Sequence, residues 1–335
     1  MHLFPSACET APALMESLPG RHRVPGGTLA LILQGKLIHS CAFGVRNEQN
    51  SPMTEGVLFE CASLTKSLFA LLAMQEADAG RLDLDAPIAP LLQDDPWSED
   101  PRFFAITPRM CLCHACGLPN WQKKPMDILF DPGTSFSYSG EGYFLLQRLI
   151  EQNLGQDMNA LFRQRFFIPF GMESSTAYWT PAVSAAFSTG YARDGSVRKV
   201  RDSRRTSGNA PEPNAAWSLY SYAADYARFL CALMNGQSGL SEASFQEMTT
   251  PQNQADAHIH WGLGFGIPDQ CPEVMWHWGD NSGFQSFAVW DKITHDGVVI
   301  TTNSDNGMDL YLDALSALTD LPCLADISSF IRSAE

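Results

Sequence analysis

A serine followed three residues later by a lysine, Ser63-Leu-Thr-Lys66, stands where the irregular stretch Glu60-Cys-Ala gives way to the apolar run Leu68-Phe-Ala-Leu-Leu-Ala-Met74. That run reads as a buried helix, which puts Ser63 on its first turn, near the positive end of the helix dipole. Backbone N–H groups there lack intrahelical partners and can point at a developing oxyanion. Three residues is about one helical turn, so the two side chains share a face and can meet. A serine hydroxyl is a poor nucleophile until a base takes its proton, and a lysine whose pKa is lowered by burial can be that base. The same four letters also describe a capping serine beside a solvated lysine. The rest of the chain decides between them.

Two other stretches carry candidate chemistry. Tyr138 lies in Asp131-Pro-Gly-Thr-Ser-Phe-Ser-Tyr-Ser-Gly-Glu-Gly-Tyr143, a turn-rich segment just before a helical pattern at 141–154. A phenol held near a lysine could be pushed toward phenolate and share proton transfer with it; a loop tyrosine that simply packs its ring is the other reading. Trp276-His277-Trp278-Gly279-Asp280 falls between two strand-like segments. Gly279 would let a substrate backbone approach closely, and His277 would offer a donor or acceptor near neutral pH. The run Gly279-Asp-Asn-Ser-Gly283 looks like a protease serine loop with an extra residue, but the helix-rich middle is wrong for a double β-barrel, so Ser282 is set aside. No G-x-S-x-G elbow occurs, which counts against an α/β-hydrolase.

Other motifs point to less. Gly262-Leu-Gly-Phe-Gly266 lacks the spacing, the lysine and the hydroxyl of a phosphate loop. Cys111-Leu-Cys113-His114-Ala-Cys116 contains zinc-ligand types, but no second C-x-x-C closes a tetrahedral site, and a packed helix end before Gly117-Leu-Pro119 is the expectation. No metal and no cofactor are expected. Arg198-Lys-Val-Arg-Asp-Ser-Arg-Arg205 reads as a solvated loop, or as a cationic rim for an anionic substrate group.

The chain has 335 residues, 45% apolar and 18% charged, with a net charge of −15. This is the composition of a folded globular protein, and its acidity argues against binding nucleic acid or an anionic membrane surface. No run approaches the ~20 apolar residues of a membrane span. Residues 1–8 lack the basic and apolar regions of a secretion signal, and the nine cysteines are an odd number. Free thiols and a cytoplasmic location are the expectation.

The elements that must position these residues follow from periodicity. Strands are expected at 26–34 and 37–44, joined at Gly35-Lys36, and again at 274–278, 284–291 and 297–303. Helical patterns run over 64–79, 141–154, 157–167, 221–235, 241–248 and 308–318, with another near 324–332; Gly80, Gly155 and Gly236 supply stop signals. Strands at both ends with helices between predict an α+β fold. One antiparallel sheet would be built from both termini, beside an inserted helical lobe. The helix carrying Ser63 would pass the cleft between them, a common place for a small-molecule site.

Taken in order, the stretches resemble the serine β-lactamase and penicillin-binding-protein superfamily. Within it they are most similar to the class C β-lactamase-related serine hydrolases, which include D-aminopeptidases and family VIII esterases. The resemblance covers about residues 25–305. It rests on Ser63-Leu-Thr-Lys66, Ile106-Thr-Pro-Arg with His114-Ala-Cys-Gly-Leu-Pro119, Pro132-Gly-Thr-Ser-Phe-Ser-Tyr138-Ser, Ser221-Tyr-Ala-Ala-Asp225-Tyr-Ala-Arg-Phe229, Trp261-Gly-Leu-Gly-Phe-Gly266 and His277-Trp-Gly279. It implies a β-lactamase/DD-peptidase-like fold and a single catalytic domain over 1–335. The α/β lobe would span about 1–60 and 250–335, and the helical lobe about 61–249. By position it makes Ser63 the acylated nucleophile, Lys66 its proton-transfer partner and Tyr138 the catalytic tyrosine. The N–H groups of Ser63 and Asp280 would form the oxyanion hole.

Three positions depart from the family pattern. The tyrosine motif usually ends in asparagine, which holds the acyl side chain; here it is Gly140. The third motif usually opens with lysine and often continues with a hydroxyl residue; here they are His277 and Trp278. These changes remove expected penicillin contacts and leave the acylation groups in place. The chain is therefore read as a serine hydrolase of a small-molecule ester or amide, with efficient β-lactamase activity not expected. An acyltransferase on the same scaffold and a catalytically idle binding protein are the alternatives. Trp121, Trp217 and Trp278 would build an apolar pocket, or serve only as packing.

Overall fold

The computed structural model describes residues 1–93, 96–199 and 212–334. In chain order, α1 is Ala7–His22, β1 Gly26–Leu33, β2 Lys36–Gly44, β3 Phe59–Glu60, α2 Thr65–Asp78, α3 Pro108–Leu112, α4 Gly140–Leu154, α5 Met158–Phe162 and α6 Pro181–Ala186. Then come β4 Gly190–Tyr191, β5 Val197–Lys199, β6 Tyr220–Ser221, α7 Ala223–Met234 and α8 Glu242–Met248. The chain finishes with β7 Asn253–Gln254, β8 Ile259–Trp261, β9 Gly266–Pro268, β10 Val274–Asn281, β11 Phe284–Asp291, β12 Gly297–Thr302, α9 Gly307–Leu318 and α10 Leu324–Ala334. Arg201, Arg204 and Arg205 of the basic run lie outside the described residues.

Eight strands form one antiparallel sheet in the order β2-β1-β12-β11-β10-β9-β8-β7. β12 sits beside β1, with Gly27 opposite Thr302, so the first and last strands of the chain join the sheet's two halves. This is the α+β architecture expected from strands at both ends. Side chains alternate across a strand, and β1 shows it directly. Leu29 and Leu31 face one apolar cluster together with Phe287, Val289, Val298 and Ile300. Ala30 and Ile32 face the other, together with Ala288, Trp290 and Val299. Helices α1 and α9 cover the first face and α7 the second. A sheet covered on both faces needs near-continuous apolar strands, which is why β1, β11 and β12 read as plain hydrophobic runs.

Helix α2 is buried nearly all round, from Thr65 through Met74. A helix apolar on every side belongs inside a protein, and this one lies between the helical lobe and the sheet. The glycine run after β8 packs against it: a Cβ on Gly264, whose φ is +97°, would lie 2.4 Å from the Ala70 Cβ. That run is a packing device, and nothing about it suits a phosphate.

Some elements differ from the sequence expectation. Residues 7–22 form α1 despite Pro12 and Pro19 inside it, because α9 and the sheet supply the burial. The pattern at 157–167 divides into α5 and a wider turn over Arg163–Phe167. β10 runs on from Trp278 to Asn281, because a two-residue turn at Ser282 and Gly283 closes a hairpin with β11.

At Gly279 this hairpin meets the backbone that leads into α2. A Cβ there would lie 2.3 Å from the Cys61 carbonyl oxygen and 3.2 Å from the Ala62 Cβ. Beside it, Ser286 Oγ donates to the same Cys61 carbonyl at 3.0 Å. Gly279→Ala therefore forces apart two backbones that now touch. The expected cost is that of overpacking, ~1–3 kcal/mol, read as a lowered urea midpoint with unchanged slope. A midpoint equal to wild type would show that the contact yields freely.

Candidate active site

Ser63 lies between Ala62, whose φ of +48° is left-handed, and the first turn of α2. The turn closes with Thr65 N–H donating to the Ala62 carbonyl and Lys66 N–H to the Ser63 carbonyl, both at 3.0 Å. A non-glycine residue held left-handed costs energy and persists only where its surroundings demand it. Here the tight entry leaves the Ser63 side chain partly exposed while its neighbours Ala62 and Leu64 are buried.

One turn along, Lys66 is completely buried. Its Nζ lies 3.1 Å from Ser63 Oγ and donates to the Ala216 carbonyl at 2.8 Å. The Nζ also sits 4.7 Å from the Tyr138 ring centroid and 5.6 Å from that of Tyr143. Burial drives the Lys66 pKa well below the ordinary 10.5, which favours a free amine able to accept a proton. Tyr138 reaches Ser63 as well, and burial pushes its phenol up while contact with Ser63 pulls it part of the way back. Burial thus works against the shift toward phenolate that a nearby lysine would favour. The Ser63 hydroxyl, the Lys66 amine and the Tyr138 phenol are thus together, and burial disfavours the charged form of both the amine and the phenol.

β10 forms the opposite wall. Trp278 packs on Tyr138, with ring centroids 5.1 Å apart, and its own ring is buried. Nδ1 of His277 donates to the Trp278 carbonyl at 2.7 Å, and the imidazole pKa is lowered to about 3 by burial and by nearby Lys66. His277 therefore stays neutral over the whole physiological range rather than titrating near neutrality. Asn281 pairs with Phe284 across the two-residue turn, so Asp280 opposite Gln285 is a non-hydrogen-bonded pair. Such a pair directs its backbone groups away from the partner strand. Asp280 also lines a cavity of about 700 Å³ with Arg193, Arg198, Ser282, Gln285 and Asp305. Ser63, Lys66 and Tyr138 do not line it.

At Gly140 the space for a side chain is filled. A Cβ there would lie 2.6 Å from the Trp121 ring, and the Gly140 N–H donates to Asn120 Oδ1 at 2.9 Å. Trp121 is half exposed. Trp217 follows the Ala216 carbonyl that holds Lys66 and packs against the helical-lobe core.

Sequence reasoning passed over His114 and Tyr143 as members of the site. Both are buried against Tyr138 and Lys66. Cys111, Cys113 and Cys116 are buried in the core beside them. The His114 ring nitrogen Nδ1 accepts from Ser139 N–H at 3.1 Å. The one signal in the sequence was the His114-Ala-Cys-Gly-Leu-Pro119 stretch itself, which carries no periodicity.

Comparison with known proteins gives the family. The Beta-lactamase family model matches residues 11–320, and the chain belongs to that family. It is 28% identical over 222 residues to Penicillin-binding protein 4 of Amycolatopsis lactamdurans, covering 61% of this chain and 55% of that one. It is also 28% identical over 190 residues to the D-aminopeptidase of Brucella anthropi, covering 51% of this chain and 35% of that one. The matches thus span little more than half of the first relative's length and about a third of the second's. A class C beta-lactamase superposes with a TM-score of 0.75 at 20% identity, over 94% of this chain and 97% of that one. EstCE1, described as a hydrolase with promiscuous acyltransferase activity, gives 0.74 at 20% identity over 89% and 94%. At that identity the likeness is one of fold. No described helix is long and apolar enough to cross a membrane.

The state of Lys66 can be tested without a substrate. An unfolded chain keeps its lysine proton up to the ordinary 10.5, and the folded chain releases it lower. Between those two values the unfolded state binds more protons, so stability rises with pH. Lys66→Met lacks this term. The stability of wild type relative to Lys66→Met is expected to increase from pH 7 toward pH 10 in urea unfolding. A difference that stays constant would mean that the folded chain keeps the proton.

Proposed function

We propose that the protein is a serine hydrolase that cleaves an ester or amide through an acyl-enzyme on Ser63. The observation that carries this is the fully buried Lys66 amine 3.1 Å from Ser63 Oγ. Free Lys66 takes the Ser63 proton as the oxygen attacks, and the Tyr138 phenol passes a proton toward the leaving group. The water that releases the acyl group is activated by the same pair in reverse. The oxyanion is held by the Ser63 N–H, which makes no hydrogen bond to a described residue, and by the Asp280 N–H, whose register turns it off the sheet. Each such donor is worth about 3–4 kcal/mol of transition-state stabilisation.

The acyl side is apolar. Trp121 stands over Gly140 where the family pattern has an amide, and Trp278 replaces a hydroxyl that would help hold a carboxylate. A tryptophan offers a broad apolar face and only a donor at its ring nitrogen. The substrate is accordingly a small ester or amide with an apolar acyl group, and efficient β-lactam hydrolysis is not part of this reading. Transfer of the acyl group to an alcohol or amine is the second reading, supported by the likeness to EstCE1. An idle binding protein fits poorly with three reactive groups held together.

Intact-mass measurement after incubation with p-nitrophenyl esters should show one added acyl group, absent in Ser63→Ala. Retained labelling there would move the nucleophile elsewhere. Lys66→Ala should slow acylation by about 10²–10⁴-fold, and a wild-type rate would remove the lysine from the mechanism. Trp121→Ala is expected to raise KM for a phenylacetyl ester several-fold more than for an acetyl ester. Equal changes would deny Trp121 a part in acyl recognition.

A further inference from the structure

His114 holds the segment carrying Tyr138 from both sides. Its backbone is left-handed, with φ +59°. The His114 carbonyl accepts from Ser137 N–H at 3.0 Å, and its ring Nδ1 accepts from Ser139 N–H at 3.1 Å. The two residues that flank Tyr138 are therefore both tied to this one residue. Between those bonds the imidazole lies against the phenol ring, with centroids 4.2 Å apart and planes at 33°. A left-handed residue costs energy unless it is glycine or one of a few polar types. Here that backbone brings the carbonyl and the ring of one residue to the same short stretch.

The hydrogen bonds also set the state of the ring. Nδ1 accepts, so the single proton of the neutral imidazole is on Nε2. A second proton on Nδ1 would face the Ser139 N–H donor to donor. Burial, with Lys66 and His277 nearby, disfavours that charged form. Around the clamp, Asn253 Nδ2 donates to the Cys113 and Ser135 carbonyls at 3.3 and 3.2 Å. On the far side Ser139 caps α4, its Oγ accepting from Gly142 N–H at 2.9 Å. The turn-rich segment before α4 is thus pinned to His114 at two places and to the helix at one.

We infer that His114 is the positioning residue for Tyr138: it fixes the phenol over Ser63 and Lys66 and exchanges no proton itself. This rests on the proposed role of Tyr138. Displacing a proton-transfer group by about 1 Å costs on the order of 10²-fold in rate, so the clamp acts on the acylation step and leaves substrate binding alone.

The test is a double-mutant cycle on acylation, followed by the burst of p-nitrophenolate from an apolar p-nitrophenyl ester, with each variant's fold checked by thermal melting. His114→Phe keeps a ring against Tyr138 and removes the Nδ1 acceptor. His114→Asn tolerates the left-handed backbone and keeps an acceptor at the same level, but removes the ring. His114→Phe should slow acylation by about 10–100-fold with the ester concentration that half-saturates the burst rate unchanged, and His114→Asn by less. Both losses should fall below about two-fold when the same changes are made in Tyr138→Phe, because interacting residues are not additive. If His114→Phe does not fold, the cycle with His114→Asn gives the answer. Losses of equal size in both backgrounds would overturn the positioning role while leaving Tyr138 in the mechanism. A wild-type acylation rate in Tyr138→Phe would instead remove the reading beneath it, and the role would go with it.

Discussion

An amine buried away from water beside a hydroxyl is the condition on which the site depends. Taking an ammonium out of water is expensive unless a counter-charge goes with it. Among the described residues no carboxylate acts on Lys66, and burial is what shifts it. The inexpensive solution is to drop the proton, and a lysine without its proton is a base. Much of the helical lobe serves this end. Helix α2 is apolar on every side because it must hold Lys66 in the dry interior, and Tyr138 and Tyr143 present ring faces to its nitrogen. The Ala216 carbonyl accepts from the amine and helps to orient it beside Ser63 Oγ. Burial in the same surroundings, with Lys66 nearby, also disfavours the charged imidazoles of His114 and His277.

The second constraint is the seam between sheet and helical lobe. Gly279 on β10 touches the Cys61–Ala62 backbone, and Ser286 on the neighbouring strand donates to the Cys61 carbonyl. These contacts set how far the sheet edge stands from Ser63. In turn they set whether an N–H at Asp280 and an N–H at Ser63 can face the same atom. Energy stored in a left-handed Ala62 is tolerated because both sides of the seam press on that segment. The aromatic wall behind it, Trp261, Trp276 and Trp278, is closed by Phe330 of α10, so the C-terminal helix supports the same edge.

Legibility varied with how local the signal was. The buried helix α2 and the strands β1, β11 and β12 were plain in the sequence, since their burial makes them continuous apolar runs ended by turn residues. Helix α1 was hidden by Pro12 and Pro19, whose cost is met by packing that no local pattern reports. The strands β7, β8 and β9 are two or three residues long, too short for alternation to register. Ser63 and Lys66 could be paired from spacing alone, because one turn of helix is a local geometry. Tyr138 and the Asp280 region were reached by motif, and His114 was read as part of a packed helix end and of a family motif, with no role in the site given to it.

What the chain determines by itself is therefore local: a serine and a lysine on one helical face, and apolar strands at both ends. The tertiary structure alone decided the charges. Whether Lys66 holds a proton, and whether Tyr138 is phenol or phenolate, depends on how much water remains around each group once distant segments have packed. It also decided that His114 clamps Tyr138, since only folding brings a left-handed loop residue against both neighbours of a tyrosine that follows it well along the chain. Proton affinity is a property of surroundings, and surroundings are assembled by contacts that sequence spacing does not record.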